Sequence, residues 1–179
     1  MALSEKYAVQ QVRYNKIFTN LLDKKIDWEI RSNAVIAFGD LLLRFPNHFD
    51  DITSGTIFDC LNDPNIIVKS NALKVITRLI LADMLKPSKS ISKIARLITD
   101  SEVAIKDSAR MFFIEMSKKH QQTSIYNYLP EIISNLSGSK GIPENEFHET
   151  IKFLFDLLEK TKNTESLVTK LCNRFRETQ

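Results

Sequence analysis

Glycine and cysteine are scarce in this 179-residue sequence, at four and two copies, and it has five prolines. Collagen-like, low-complexity and turn-dense all-β designs need more glycine and proline than that. Two cysteines cannot build a disulfide framework. Cys60 and Cys172 lie far apart in apolar surroundings, so both are expected to be small buried hydrophobes, which places the chain in cytoplasm or nucleus. No run reaches the ~18 uninterrupted apolar residues of a membrane span. The segment Met1 to Tyr7 has no apolar core and no small-residue cleavage site, so no secretory signal is expected. A strong charge of one sign is also missing. Basic and acidic residues number 25 and 22, and a net +3 does not by itself argue for nucleic acid or a membrane surface. What is present is 43% hydrophobic content beside 26% charged, which can bury a core and excludes wholesale disorder.

Between breakers, apolar residues recur at three- and four-residue spacing, the pattern of amphipathic helices. One helix is expected from Asp27 to about Phe45, ended by Pro46, with Ile30, Ala34, Ala37, Leu41, Leu42 and Phe45 on its apolar face. Asp50 or Asp51 caps a short helix through Ile57, Phe58 and Leu61. The turn Asn62-Asp63-Pro64-Asn65 starts another, with proline in its first turn. It carries Val68, Ala72, Leu73, Val75, Ile76, Leu79, Ile80 and Met84, a face wide enough for neighbours on two sides. Pro87-Ser88 breaks it, and Ile91, Ile94, Ala95 and Leu97 make a short helix. Asp100-Ser101 opens one with Val103, Ile105, Ala109, Phe112, Phe113 and Met116. A helix near Ile125 to Leu136 is expected to bend or shorten at Pro130. Ser137 to Pro143 is a loop and a candidate hinge. Two helices follow, through Phe147, Ile151, Phe153, Leu154 and Leu157 and through Leu167, Val168, Leu171 and Phe175. No stretch alternates long enough for a strand. The class is all-α.

A repeat sets the architecture. Ile30-Arg31-Ser32-Asn33-Ala34, Val68-Lys69-Ser70-Asn71-Ala72 and Ile105-Lys106-Asp107-Ser108-Ala109 share β-branched, basic, polar, polar, alanine. Their basic residues, 31, 69 and 106, stand 38 and 37 residues apart. Asp63 and Asp100 precede Lys69 and Lys106 by six residues, whereas the first copy has Lys25 there. A period just under 40 with two helices per unit falls near the HEAT and armadillo range. The unit resembles a HEAT repeat. The alanine lets helices approach, the β-branched residue packs between units, and the aspartate caps a helix and pairs with a neighbouring unit's basic residue. Arg31, Asp63, Lys69, Asp100 and Lys106 are thus the expected stacking residues. Residues 1–179 are expected to form a single α-solenoid segment of four to five antiparallel helix pairs.

Catalytic patterns are lacking. Gly39, Gly55, Gly138 and Gly141 form neither a GxGxxG nor a Walker loop. His48, His120 and His148 stand alone, without zinc spacing. Asp50, Asp51, Asp59 and Asp63, and Glu144, Glu146 and Glu149, cluster locally. Acid/base work needs a pocket between them, and caps and solvated loops are the expected roles. No catalytic, cofactor or metal site is expected, and the chain is read as a non-enzyme. Trp28 is expected to pack in the first turn of its helix, and the phenylalanines at 112, 113, 153, 155 and 175 to be core. The informative charges are Lys74, Arg78, Lys86, Lys89, Lys93 and Arg96, which with Lys69 face a single acid, Asp83. Stacked in a solenoid, these faces would meet phosphates or an acidic partner without reading sequence.

Longer blocks carry a family resemblance. Arg31-Ser32-Asn33, Gly39-Asp40-Leu41, Arg44-Phe45-Pro46-Asn47 and Leu79-Ile80-Leu81-Ala82-Asp83-Met84 resemble, in order, a stretch of the condensin complex subunit 1 family. So do the segments from Ile125 to Ser134 and from Thr164 to Arg176, which a repeat consensus does not demand. The likeness covers about residues 28 to 177, and the first ~25 match poorly. Family members are much longer, so the chain resembles a piece of their C-terminal region. The resemblance implies a non-catalytic scaffold that binds the kleisin and the SMC ATPase heads, contributes with the kleisin to DNA contact, and serves mitotic chromosome condensation. It implies no cofactor and no membrane partner, and a place in the nucleus, on chromosomes and in the cytoplasm. A peptide-binding transport adaptor of the adaptin or importin type, and an enzyme with an unrecognised site, are the alternatives.

Overall fold

The structure, a computed structural model, describes residues 16–44, 51–87, 90–119, 123–137 and 141–158, with 168, 169, 172, 173 and 176. Residues 16–21 are helical, and the helices that follow include α1 (Trp28–Arg44), α2 (Asp51–Asp59), α3 (Ile66–Leu81), α4 (Ile91–Arg96), α5 (Val103–Lys119), α6 (Thr123–Leu136) and α7 (Glu144–Asp156), with 3-10 turns at Cys60–Asn62 and Leu97–Thr99. No strand occurs among the described residues. The protein is all-α, built of HEAT-like helix pairs. The chain divides into two compact units, Met1–Pro87 and Ser88–Gln179.

In the first unit α1 and α3 lie side by side. Ser32 accepts from the Asn71 amide at 2.8 Å, Gly39 faces Val75, and Arg78 Nη1 lies 3.9 Å from Asp40. The partners advance together along both helices, so the two run parallel, as second helices of successive repeats do. The buried face of α1 is Arg31, Ser32, Ala34, Val35, Phe38, Gly39 and Leu42. That stripe is rotated from the expected one. Ile30 is 49% exposed and Ala37 is exposed, because Arg31 turns inward where a carboxylate meets its charge. The Phe18 ring packs 5.1 Å from Phe38. At the start of α3 the Asn65 side chain accepts from the backbone N–H groups of Ile67 and Val68, at 2.8 and 3.4 Å. Pro64 therefore precedes the cap and does not sit in the first turn, since Asn65 supplies the acceptor that the orphan donors need. At the other end, Met84 N–H reaches Leu79 O and Asp83 N–H reaches Ile80 O, a Schellman closure with Asp83 at φ 57°. That closure leaves Met84 outside the helix and 42% exposed.

In the second unit Ile91, Ile94, Ala95, Leu97 and Ile98 are buried around α4, as are Ile105, Ala109, Phe112, Phe113 and Met116 on α5. Val103 is not core. It is 68% exposed, standing at the first residue of α5 before the buried stripe begins. α6 runs through Pro130 without shortening. Ile125, Leu129 and Ile132, buried on both sides of the proline, hold the helix despite its missing N–H. Ile142 N–H donates to Leu136 O at 3.2 Å across the loop that follows, whose residues 138–140 lie outside the described ones. On α7, Thr150 and Leu154 are fully buried, while Phe155 is 42% exposed because it points away from that face. Of the final expected helix, Leu167, Leu171 and Phe175 lie outside the described residues. Cys172 is exposed and not buried; Val168, Thr169, Asn173 and Arg176 are exposed too, so solvent covers that side.

Candidate interaction surface

The most enclosed polar arrangement in the first unit joins the first two copies of the repeat. Arg31 and Asp63 are 5% and 4% exposed. The guanidinium donates through Nε to Asp63 Oδ2 at 2.9 Å and through Nη2 to Oδ1 at 2.8 Å. Its third nitrogen, Nη1, donates to Ile26 O and, at 3.5 Å, to Lys24 O. Asp63 Oδ1 also accepts the Asn65 N–H at 2.8 Å. One carboxylate thus orders the turn before α3 and holds α1 to it. The hydrogen bond to Asp63 raises the Arg31 pKa against the opposing effect of burial. Nearby, burial first and the Asp63 and Asp59 charges second push the Cys60 thiol up to about 11. The repeat pattern expects Asp63 to pair with a neighbouring unit's basic residue; the partner is Arg31, 32 residues away, and the depth at which the two are buried is what spacing alone does not display.

The second unit builds a looser junction. Arg110 Nη2 lies 2.6 Å from Glu149 Oε1, and Lys106 Nζ 4.0 Å from the same oxygen. The Arg110 guanidinium also stands over Phe153, 5.4 Å from the ring centroid. Arg110 is not among the expected stacking residues, although its place one turn after Lys106 is the available signal. The Ser32–Asn71 and Arg110–Glu149 contacts each span 39 residues, within two residues of the repeat spacing. Asp100 Oδ1 accepts the Glu102 N–H at 3.0 Å, as a turn acceptor. Lys69 is half-buried on α3.

The basic side chains fall into groups within each unit. Lys74 and Arg78 lie one turn apart and exposed on α3, and Lys86 is exposed beyond its end. Arg78 and Asp40 are 70% and 62% exposed, so their contact is a weak surface pair. In the second unit Lys93 is half-buried on α4 and Arg96 exposed, its Nη2 donating to Gly141 O at 3.0 Å. Lys89 lies outside the described residues. Of these cations Lys74, Arg78, Lys86 and Arg96 are exposed and Lys93 is half-buried.

The carboxylates do not converge among the described residues. Asp59 and Glu144 are exposed, Glu146 is half-buried, Glu149 is engaged by Arg110, and Asp50 lies outside the described residues, as does the Asp51 side chain. His148 stands 3.6 Å from Glu144 on an exposed stretch of α7, and His48 and His120 lie outside the described residues. Among the described residues no three His, Cys, Asp or Glu side chains gather to hold a metal ion, and no helix is long and apolar enough to cross a membrane. Trp28 heads α1 at 37% exposure, more open than a packing role requires.

Comparison with known proteins identifies relatives of the chain. Residues 29–179 match the family model described as non-SMC mitotic condensation complex subunit 1. The chain is 42% identical over 175 residues to condensin complex subunit 1 of Homo sapiens, covering 97% of this chain and 12% of that protein. It is 39% identical over 146 residues to condensin-1 complex subunit CAP-D2 of Arabidopsis thaliana, covering 82% and 10%. Against condensin complex subunit 1 of Saccharomyces cerevisiae the figures are 32% over 177 residues, covering 99% and 14%. The chain therefore spans about an eighth of the length of these relatives.

Proposed function

The chain belongs to the non-SMC mitotic condensation complex subunit 1 family, and on that footing we propose that it forms part of a regulatory scaffold subunit of condensin. The scaffold works without a reaction centre of its own: it grips the kleisin and the SMC ATPase subunits, and the ATPases supply the hydrolysis. Lys74, Arg78, Lys86, Lys89, Lys93 and Arg96 give the subunit a sequence-indifferent contact with the DNA backbone. The work is done on chromosomes in the nucleus, with a cytoplasmic pool.

The observation that carries this reading is identity to condensin subunits over nearly the whole chain, up to 42% across 97% of it. The relatives are condensin subunits, which removes the support for a transport adaptor. The stacked second helices of the repeats add a physical reason. They expose open helix faces, the kind of surface on which helical-repeat proteins take extended partners.

The test is affinity purification of the tagged protein from mitotic cells. Kleisin and SMC subunits are expected to co-purify at stoichiometric levels. Recovery of vesicle-coat or nuclear-import proteins in their place would overturn the proposal.

A further inference from the structure

Cationic side chains are not spread evenly over the three copies of the repeat. Five residues after the basic residue of each copy stand Ile36, Lys74 and Met111, and nine residues after it Asp40, Arg78 and Glu115. Glu115 is half-buried and the other five are exposed. The second copy is therefore cationic at both places, whereas the first and third carry an apolar residue and a carboxylate there. Within the first unit this has a spatial consequence. α1 and α3 run parallel in a register that sets Asn71 against Ser32 and Val75 against Gly39. The same register brings Asp40 Oδ1 to 3.9 Å from Arg78 Nη1, on side chains that are 62 and 70% exposed. An open pair at that distance adds little to the fold. Its carboxylate still acts on whatever approaches Arg78, because it competes with a phosphate oxygen for the same guanidinium donors and repels the phosphate charge. Lys74, one turn earlier, has Ile36 and not an acid at the corresponding place on α1.

We propose that Asp40 restrains the polyanion contact of α3: it holds the Arg78 guanidinium against phosphate and keeps the nucleic-acid backbone on α3 and off α1. The inference rests on the DNA contact proposed above and adds its regulation. Lys74 supplies an unopposed charge, while Arg78 engages a phosphate only after its carboxylate partner is displaced. The restraint is small by design of the geometry, since a unit charge about 4 Å away in bulk water changes affinity by about 5-fold at most. It is also erased by salt, which screens an exposed pair before it screens a buried one.

The test is a fluorescence-anisotropy titration of a labelled duplex with the full-length protein at several salt concentrations. It compares the parent with Asp40→Asn, Arg78→Gln, the double variant and Glu29→Gln. Glu29 is the control, an exposed acid on the same helix whose removal adds the same charge about 16 Å from Asp40, beyond the ~10 Å screening length of 0.1 M salt. Asp40→Asn is expected to bind about 2- to 5-fold more tightly at low salt, with a steeper salt slope, while Glu29→Gln stays near the parent. Arg78→Gln is expected to bind more weakly, and the gain from Asp40→Asn should fall by at least half in its presence, the coupling that a shared contact requires. Asp40→Asn binding no tighter than the parent, while Arg78→Gln weakens binding, would overturn the role of Asp40 and leave the DNA contact standing. An equal gain from Glu29→Gln, or an undiminished gain with Arg78 removed, would do the same, because net charge would then suffice. A parent that ignores duplex, or Arg78→Gln that binds as the parent does, would overturn the contact at Arg78 and this inference with it. Circular dichroism of each variant checks that the fold is kept.

Discussion

Arg31 on α1 and Asp63 ahead of α3 meet in a two-bond ion pair of 2.9 and 2.8 Å, both at or below 5% exposure. The pair replaces the short-range helix-to-helix packing that an alanine or leucine would provide, and it makes the first repeat's position depend on a charge in the second. A buried pair of this geometry adds little net stability over apolar residues of the same volume, but losing one partner strands the other charge.

Asp63→Ala is therefore expected to destabilise the fold by about 3–5 kcal/mol, since it leaves the Arg31 charge buried and unpaired. The Asn65 N–H loses its acceptor as well. The double change Arg31→Met with Asp63→Leu is expected to recover most of that loss. Urea unfolding of the three proteins followed by circular dichroism measures both. A single Asp63 variant within about 1 kcal/mol of the parent would refute the argument, as the scale for stranding a buried ion is several kcal/mol.

Gly39 is expected to resist the usual gain from alanine. Inside a helix Gly→Ala stabilises by about 1 kcal/mol. Here a Cβ would overlap Val75 Cγ1 and stand 3.2 Å from Cγ2. Overpacking a tight contact costs about 1–3 kcal/mol, so the substitution is expected to be neutral to destabilising by ~2 kcal/mol. Val75→Ala should restore the gain, because it removes both methyl groups. Thermal melts of the single and double variants decide it, and a more stable Gly39→Ala protein would contradict the packing.

The two cysteines should separate by reactivity. Cys172 is exposed, whereas Cys60 is buried and its thiol pushed up to about 11 from an ordinary 9.0. At about pH 8 one thiol per chain is expected to react quickly with a maleimide or aromatic disulfide while the other waits on opening of the fold. The same shift has a stability consequence. The folded state holds the Cys60 proton more tightly than the unfolded state, so its contribution is complete below pH 9.0 and is lost as the pH rises toward 11. Two pH units correspond to about 2–3 kcal/mol across that window. Tyr128, raised by burial and by Glu131, moves in the same sense. The measurement is therefore the difference between parent and Cys60→Ala, whose stability should fall less steeply across the same pH window.

Charge reversal of Lys74 and Arg78 tests the DNA contact. If both neutralise phosphates, the double Glu variant in the full-length protein should bind duplex more weakly at every sequence. The log–log salt slope should fall by about two units, ~0.9 for each phosphate no longer neutralised. Unchanged affinity and slope would remove these two residues from any role at the DNA backbone. The weak Arg78–Asp40 pair is screened by the same salt, so a Lys74-only variant should be run beside the double.

Much of the fold is legible in residue spacing, and the reason is local. Helix periodicity, the proline and aspartate breaks and the 38-residue recurrence are short-range properties that the backbone must obey wherever the helices go. Hence the extents of α1 and α5 and the all-α class can be read directly, and so can alanine at each helix crossing: Ala34, Ala72 and Ala109 are all buried. The Asn65 cap is not legible in this way, because proline at the first helical position and proline just before a cap look identical in sequence. Which acceptor meets the orphan donors is settled only when side chains are placed.

The family, too, is carried by the order of residues, since the blocks from Ile125 and from Thr164 exceed what any repeat demands. Tertiary structure alone decides which face of each helix turns inward. Ile30 and Ala37 fit the apolar stripe by spacing, yet they lie open while Arg31 is buried, because a carboxylate 32 residues away lowers the cost of enclosing a guanidinium. Arg110, with Glu149 and Phe153 as its partners, is settled in the same way. Charge pairing and burial are non-local, and their outcome depends on which groups the folded chain brings within a few ångströms.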